Sequence, residues 1–411
     1  MKNIILIASL LLFYACTTMQ QEQAEQPIGE VVEEGLDFAV EQYKGMLEAL
    51  PDSTQNPRTI RNDTIKTIKT RDWTSGFFPG SLWYLYEYTQ DPKMKEAAVA
   101  RTAPLEIEKN NVRTHDLGFM LYNSFGNAYR LTGNEAYREI LLTGAVSLTS
   151  RFHPNVGCIR SWDHGDWQFP VIIDNMMNLE FLFWATAAGG DQRYTEVCLS
   201  HADTTILHHY RDDFSTWHVV DYDTITGEPI AKMTHQGYAD ESSWARGQAW
   251  GFYGYTMTYR ETQDPKYLAH AQNIAAFLLD HPNLPEDYVP YWDFDAPNRP
   301  EEERDASAGA IMASALLELS QYTAGKDSSR YVNAAEKIIR SLSSDDYRAP
   351  LGENKNFILM HSVGSKPHDS EIDVPLNYAD YYYIESLLRM KDLLNDGIIE
   401  RIKPTSELVQ K

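Results

Sequence analysis

The sequence predicts an all-α protein: a single (α/α)6 barrel of six helical hairpins, with its active site in the cleft formed by the loops on one rim. Three observations carry that prediction. A short polar turn recurs five times, at Thr89-Gln90-Asp91-Pro92, Thr132-Gly133-Asn134-Glu135, Gly189-Gly190-Asp191-Gln192, Thr262-Gln263-Asp264-Pro265 and Ala324-Gly325-Lys326-Asp327. The segments after these turns place apolar residues at helical spacing, as in Tyr137, Ile140, Leu141, Ala145, Leu148 and again in Tyr331, Ala334, Ala335, Ile338, Ile339, Leu342. The turns also recur unevenly, and inserts at 153–170, 211–241, 281–304 and 346–377 are rich in Trp, Asp, His, Gly and Pro. A solenoid keeps a nearly constant period, whereas long functional loops gathered on one rim suit a closed ring.

Taken in chain order, Lys2 and the apolar run Ile4 to Phe13 end at Tyr14-Ala15-Cys16. A basic start, a short apolar core and a small residue before the cut describe a secretory signal. The cysteine directly after the small residue resembles a bacterial lipoprotein signal, with Cys16 as the lipidated residue. Residues 1–16 are therefore expected to be a signal peptide, the Gln- and Glu-rich 17–30 a flexible tether, and 31–400 the folded domain. That reading expects a periplasmic protein that meets the membrane only through its lipid anchor. Helices are expected over about 30–49, 75–89, 92–108, 115–131, 135–152, 171–187, 191–210, 242–262, 265–280, 305–323, 328–345 and 378–394. Asp91, Asn134 and Asp264 suit N-caps, and Pro92 and Pro265 suit first helical positions, where the missing N–H costs nothing. Cys158 and Cys198 carry no local sign of pairing, so no disulfide is expected.

The chain has 36 Lys and Arg against 59 Asp and Glu over 411 residues, a formal net charge of −23. Nucleic acid needs clustered cations to displace its counterions, so it is excluded as a partner. No GxSxG elbow, phosphate-binding GxxxxGK[ST] loop, HExxH pair or cysteine framework occurs. Neither a metal nor a cofactor is expected.

Two carboxylates stand out. Asp116 sits in His115-Asp116-Leu117-Gly118-Phe119, where a loop enters a helix, and Asp174 sits in Ile172-Ile173-Asp174-Asn175-Met176-Met177. Apolar surroundings raise a carboxyl pKa, and a carboxyl protonated near neutrality is a proton donor. A second cluster runs from His235-Gln236-Gly237-Tyr238 to Trp244-Ala245-Arg246-Gly247-Gln248-Ala249-Trp250. The Arg246 fork suits a planar carboxylate, while Trp244 and Trp250 suit the apolar face of a sugar ring. Trp73, Trp162 and His218 fall on the same presumed rim. Ser362-Val363-Gly364-Ser365-Lys366 gathers hydroxyls, N–H groups and a cation at a Gly turn, a composition suited to an anion nest.

These segments, together with Asp373-Val374-Pro375-Leu376-Asn377-Tyr378-Ala379-Asp380-Tyr381-Tyr382, resemble in order the unsaturated glucuronyl hydrolases of glycoside hydrolase family 88. The resemblance implies an (α/α)6 barrel acting on lyase-generated oligosaccharides that carry a 4,5-unsaturated uronic acid at the non-reducing end. It implies that Asp174 protonates C4 of the vinyl ether and that water then adds at C5, with Asp116 the second essential acid. It implies that Trp73, His218, Gln236 and Arg246 hold the unsaturated sugar and that Trp162 lines the next subsite. Family members acting on sulfated glycosaminoglycans carry Ser-x-x-Ser-x-Lys; the spacing from Ser362 through Ser365 to Lys366 is one residue short of it. Glycosaminoglycan fragments are the expected substrates. The alternatives are pectin fragments for a related unsaturated rhamnogalacturonyl hydrolase, an inverting glycosidase, or a glycan-binding lipoprotein without activity.

Overall fold

The computed structural model describes residues 26–408. The expected signal, Cys16 and most of the expected tether lie outside the described residues. The tether's last residues, Ile28 to Glu30, already belong to the first helix, α1 (Ile28–Ala49). At the other end, Thr405 is anchored through its backbone N–H and its hydroxyl to Glu261, so the folded body continues past residue 400.

Two concentric rings of helices form the body. The inner ring contains α2 (Phe77–Thr89), a π-helix (Gly118–Gly126) running into α4 (Asn127–Thr132), α6 (Leu179–Ala187), α8 (Ala245–Thr262), α10 (Ala306–Ser320) and α12 (Asn377–Asp396). The outer ring contains α1, α3 (Pro92–Thr102), α5 (Glu135–Thr149), α7 (Arg193–His209), α9 (Pro265–Asp280) and α11 (Gly325–Leu342). Sequence separates the two rings. Every residue of α10 is buried, whereas α11 buries only the stripe Tyr331, Ala334, Ala335, Ile338, Ile339 and Leu342, as expected of a surface helix facing a core.

The five recurrent turns join α2 to α3, α4 to α5, α6 to α7, α8 to α9 and α10 to α11. At three of them Asp91, Asn134 and Asp264 accept from the N–H two residues on, satisfying helix-terminal donors that would otherwise be orphaned. The sixth hairpin is not consecutive. α1 packs on α12, and α12 packs on α2, so the two ends of the domain close the ring. Helix periodicity along the chain cannot register a pairing across that distance.

The strands are the second departure from the expectation. β1 (Asn56–Arg61) and β2 (Thr64–Ile68) form a hairpin between the first two expected helices, and β3 (Phe152–His153) pairs with β4 (Cys158–Ile159). β5 (Pro170–Ile172), β6 (Val219–Tyr222) and β7 (Pro229–Met233) form a three-stranded antiparallel sheet. All three pieces lie in connections between helices. Among the described residues no helix is long and apolar enough to cross a membrane. Cys158 and Cys198 are separate, buried free thiols.

Four rings span the barrel interior as a continuous layer. Phe77 meets Phe119 at 5.3 Å, Phe119 meets Trp250 at 5.2 Å, Trp250 meets Tyr382 at 5.4 Å, and Tyr382 returns to Phe77 at 6.0 Å. These separations and tilts are those of favourable aromatic pairs. The layer divides the interior into a cleft at the N-terminal ends of the inner helices and a second chamber toward their C-terminal ends.

Candidate active site

Both candidate acids are positioned by irregular turns. Asp174 lies in a 3₁₀ turn (Ile173–Asn178) rather than in the regular helix expected over 171–187. That turn lies against a glycine face of α8: a Cβ on Gly254 would fall 2.5 Å from Met176 Cβ, and one on Gly251 would fall 3.2 Å from Ile173 Cγ1. Any larger residue would push the acid away. Asn178 Oδ1 accepts from the Phe119 N–H, which joins the turn to the segment carrying Asp116. Ser161 ties the remainder together. Its hydroxyl accepts from the Ile172 N–H and its carbonyl faces His115 Nδ1 at 2.9 Å.

Burial pushes the Asp174 carboxyl up to about 7; the charge of Arg246 opposes the rise and that of Asp116 adds to it. Burial likewise pushes Asp116 up to about 7, against the Thr114 hydroxyl that hydrogen-bonds it. Because the two acids interact, these values belong to the pair.

The histidine tautomers distinguish the two acids. His115 Nδ1 faces a carbonyl, which only accepts, so Nδ1 carries the proton and Nε2 presents a lone pair. That nitrogen lies 3.1 Å from Asp116 Oδ1 but makes no hydrogen bond to it. His218 is reversed. Its Nδ1 accepts from the N–H groups of His235 and Gln236, which places the ring proton on Nε2. Nε2 lies 3.7 Å from Asp174 Oδ2, beyond hydrogen-bond reach. Asp174 Oδ2 is buried without a hydrogen-bond partner. Burial keeps both imidazoles neutral, lowering His115 to about 3 and His218 well below its usual value.

The cleft has a volume of about 270 Å³. Trp73, His115, Asp116, Trp162, Asp174, His235, Gln236, Arg246 and Ser365 line it, all residues singled out from the sequence. Trp162 and His235 stand 4.9 Å apart at its mouth, and His235 meets His368 at 4.4 Å.

Five other candidates sit elsewhere. Trp250 is completely buried in the aromatic layer, so it supports the cleft floor and offers no face to a sugar. Trp244 is buried between His218 and the Arg246 guanidinium. His218 backs Asp174 from behind the wall. Ser362 is buried in a bridge to Val374. Lys366 is turned away, its ammonium held by Glu302 at 2.6 Å and by Glu303, which does not fit an anion nest open to the cleft. Arg246 has its fork committed to Asp305 and to the carbonyls of Val363 and Gly364. It braces the loop around Ser365 through Nη1 and Nη2, while its Nε is buried without a partner.

The structure also adds residues that the sequence reading missed. Arg58, from β1, chelates Asp72 and Glu371, and all but Asp72 line the cleft with His164, His368, Ser370 and Tyr378. Arg58 and Glu371 are 313 positions apart, and neither stands in a patterned segment. Tyr378 lies inside a quoted motif, and its place at the start of α12 was the available signal.

An (α/α)6 barrel with two raised carboxyls in an aromatic-walled cleft defines the class: a glycosidase. Comparison with known proteins makes the family explicit, although no family model matches the chain. The chain is 44% identical over 383 residues to an unsaturated glucuronyl hydrolase of Formosa agariphila, covering 92% of this chain and 94% of that protein. It superposes with a TM-score of 0.87 and 48% identity on the crystal structure of an unsaturated glucuronyl hydrolase specific for heparin, covering 91% of this chain and 99% of the other. A Streptococcus agalactiae unsaturated glucuronyl hydrolase, crystallised as an Asp-to-Asn mutant with dGlcA-GalNAc6S, matches with a TM-score of 0.77 and 31% identity over 88% of this chain and 92% of that one. The chain belongs to the unsaturated glucuronyl hydrolases.

Proposed function

We infer that the chain removes the 4,5-unsaturated uronic acid from the non-reducing end of glycosaminoglycan fragments by hydrating the C4=C5 vinyl ether, with Asp174 as proton donor. The observation that carries this reading is the state of Asp174: a buried carboxyl with a pKa of about 7 and an oxygen that no protein group engages. Protonating an alkene carbon needs an acid whose proton is not already shared. The Asp116 carboxyl accepts from the Thr114 hydroxyl, whereas Asp174 Oδ2 has no protein partner. Proton transfer to C4 leaves oxocarbenium character at C5. The Asp174 carboxylate then takes a proton from the water that adds there, and the hemiketal opens to release the remaining sugar. The His218 Nε2–H stands nearest to the carboxylate during the interval in which it is charged. Trp73, Trp162, His235 and Gln236 form the walls against which the two sugars rest.

Glycosaminoglycan fragments are favoured because one of the solved relatives is specific for heparin and another was crystallised with dGlcA-GalNAc6S. The test is optical. Unsaturated uronates absorb in the far ultraviolet, and the enzyme should erase that absorbance on lyase-made heparin, chondroitin or hyaluronan disaccharides. Unchanged absorbance with all of them, and loss with unsaturated rhamnogalacturonan fragments, would move the activity to pectin. We propose likewise that Cys16 is acylated and holds the enzyme at the periplasmic face of a membrane. Cys16→Ser should then release it to the soluble fraction; an unaltered membrane fraction would refute the anchor.

A further inference from the structure

The second chamber lies below the aromatic layer and has no part in the reaction just described. Its volume is about 270 Å³, equal to that of the cleft. At about 30 Å³ per liquid water, that is the room of about nine waters, or of one pyranose. Its walls come from the inner helices below the aromatic layer, with Arg130, Gly133 and Arg401 toward the outer end. A Cβ on Gly133 would meet nothing within 4 Å, so this turn borders open space and marks the mouth, on the rim opposite the cleft.

The lining combines flat apolar faces with groups able to hydrogen-bond. Trp184 is flanked by Tyr122 at 6.0 Å and Tyr129 at 5.7 Å. Asn123 Nδ2 and Arg389 Nε are buried donors without a protein partner, although both residues line the chamber. Such donors are costly unless something accepts from them. Glu180 is a complementary acceptor, a lining carboxyl raised to about 6 by burial against the pull of Arg260. The guanidinium groups do not form an anion site. Arg260 is paired with Glu180, Glu261 and Glu318, Arg389 with Glu318 and Glu385, and Arg130 with Glu87. Aromatic faces with unpaired donors, several acceptor oxygens and no spare charge suit a neutral polyol.

We propose that the chamber beneath the aromatic layer is a second binding site, which takes a single neutral monosaccharide through Trp184, Asn123 and Glu180. It stands independently of the assignment of the cleft.

The full chain, titrated separately with N-acetylglucosamine, N-acetylgalactosamine and glucose and followed by saturation-transfer NMR and calorimetry, tests this. One saturable site is expected for at least one of them, and it should survive Trp73→Ala, which alters the cleft. Asn123→Leu removes a donor and fills the chamber; it should weaken that binding about tenfold or more, the effect of losing one good hydrogen bond, while disaccharide turnover stays within about twofold of wild type. Glu180→Gln keeps the shape and should weaken binding by a similar factor, and it decides the matter should Asn123→Leu fail to fold. Absence of saturable binding by wild type, its loss in Trp73→Ala, or undiminished affinity in the folded chamber variants would overturn the proposal.

Discussion

The two chambers on either side of the aromatic layer have the same volume, yet Asp116 and Asp174 above it lack the guanidinium that holds Glu318, Glu385 and Glu87 below it. Below the layer every acid of the central lattice has a guanidinium: Glu318 lies between Arg260 and Arg389, Glu385 meets Arg389, and Glu87 receives both Arg130 and Arg401. Burial works against the charge on Glu87, but Arg130 and Arg401 lower its pKa to about 2. Above the layer Asp116 and Asp174 have no paired cation, and burial raises both to about 7. Glu180 stays raised to about 6 despite Arg260, so what sets Asp116 and Asp174 apart is that they line the cleft with no guanidinium paired to them.

The most direct way to break this contrast is Asp174→Asn. It should lower kcat by about 10² to 10⁴-fold, the usual weight of a general acid, while calorimetry still detects disaccharide binding. The matching change below the layer is Glu318→Ala, which leaves Arg260 and Arg389 short of a buried partner. Unfolding free energy should fall by about 3–5 kcal/mol, measured by denaturant melts, with kcat of the folded fraction unaltered.

The third outcome concerns stability and runs against intuition. A carboxyl raised from 3.8 to about 7 binds its proton more tightly in the folded state, so it opposes folding increasingly as pH climbs from about 4 to 7. Asp174→Asn should therefore be more stable than wild type at pH 8, by up to about 4 kcal/mol, and by less at pH 5. Equal melting temperatures at both values would show that the acid is not strained by its surroundings. Fourth, kcat/KM should decline by about tenfold per pH unit above roughly 7 as the coupled pair loses its protons; a flat profile between pH 6 and 9 would contradict the assignment. The smallest effect is expected at Lys366, which faces Glu302 and Glu303 rather than the cleft. Lys366→Ala should change kcat/KM on an unsulfated disaccharide by less than about twofold, in keeping with an ammonium turned away from the cleft.

Much of this arrangement is written locally in the chain. The helices and their turns were legible because caps such as Asp91 and Asp264 and stripes such as Tyr331 to Leu342 act within a few residues. The acids were legible because an Asp flanked by Ile and Met has few ways to remain solvated. The closure of α1 on α12 was not, since it depends on contacts between the chain's two ends. Trp244 and Trp250 illustrate another limit: an indole suited to a sugar face is equally suited to a core, and only packing decides. Arg58 and Glu371 meet across the whole domain, and no pattern in either segment announces the other. The hairpin β1–β2 was missed because its strands are short and only partly covered.

The ring of Phe77, Phe119, Trp250 and Tyr382 has one more consequence. It makes the catalytic opening a cul-de-sac rather than a tunnel, so a polysaccharide cannot be threaded through and cut in its middle. Only a chain terminus can reach the bottom. An enzyme shaped this way works downstream of whatever cleaves long polymers internally, and its throughput rises with the number of ends that upstream step creates.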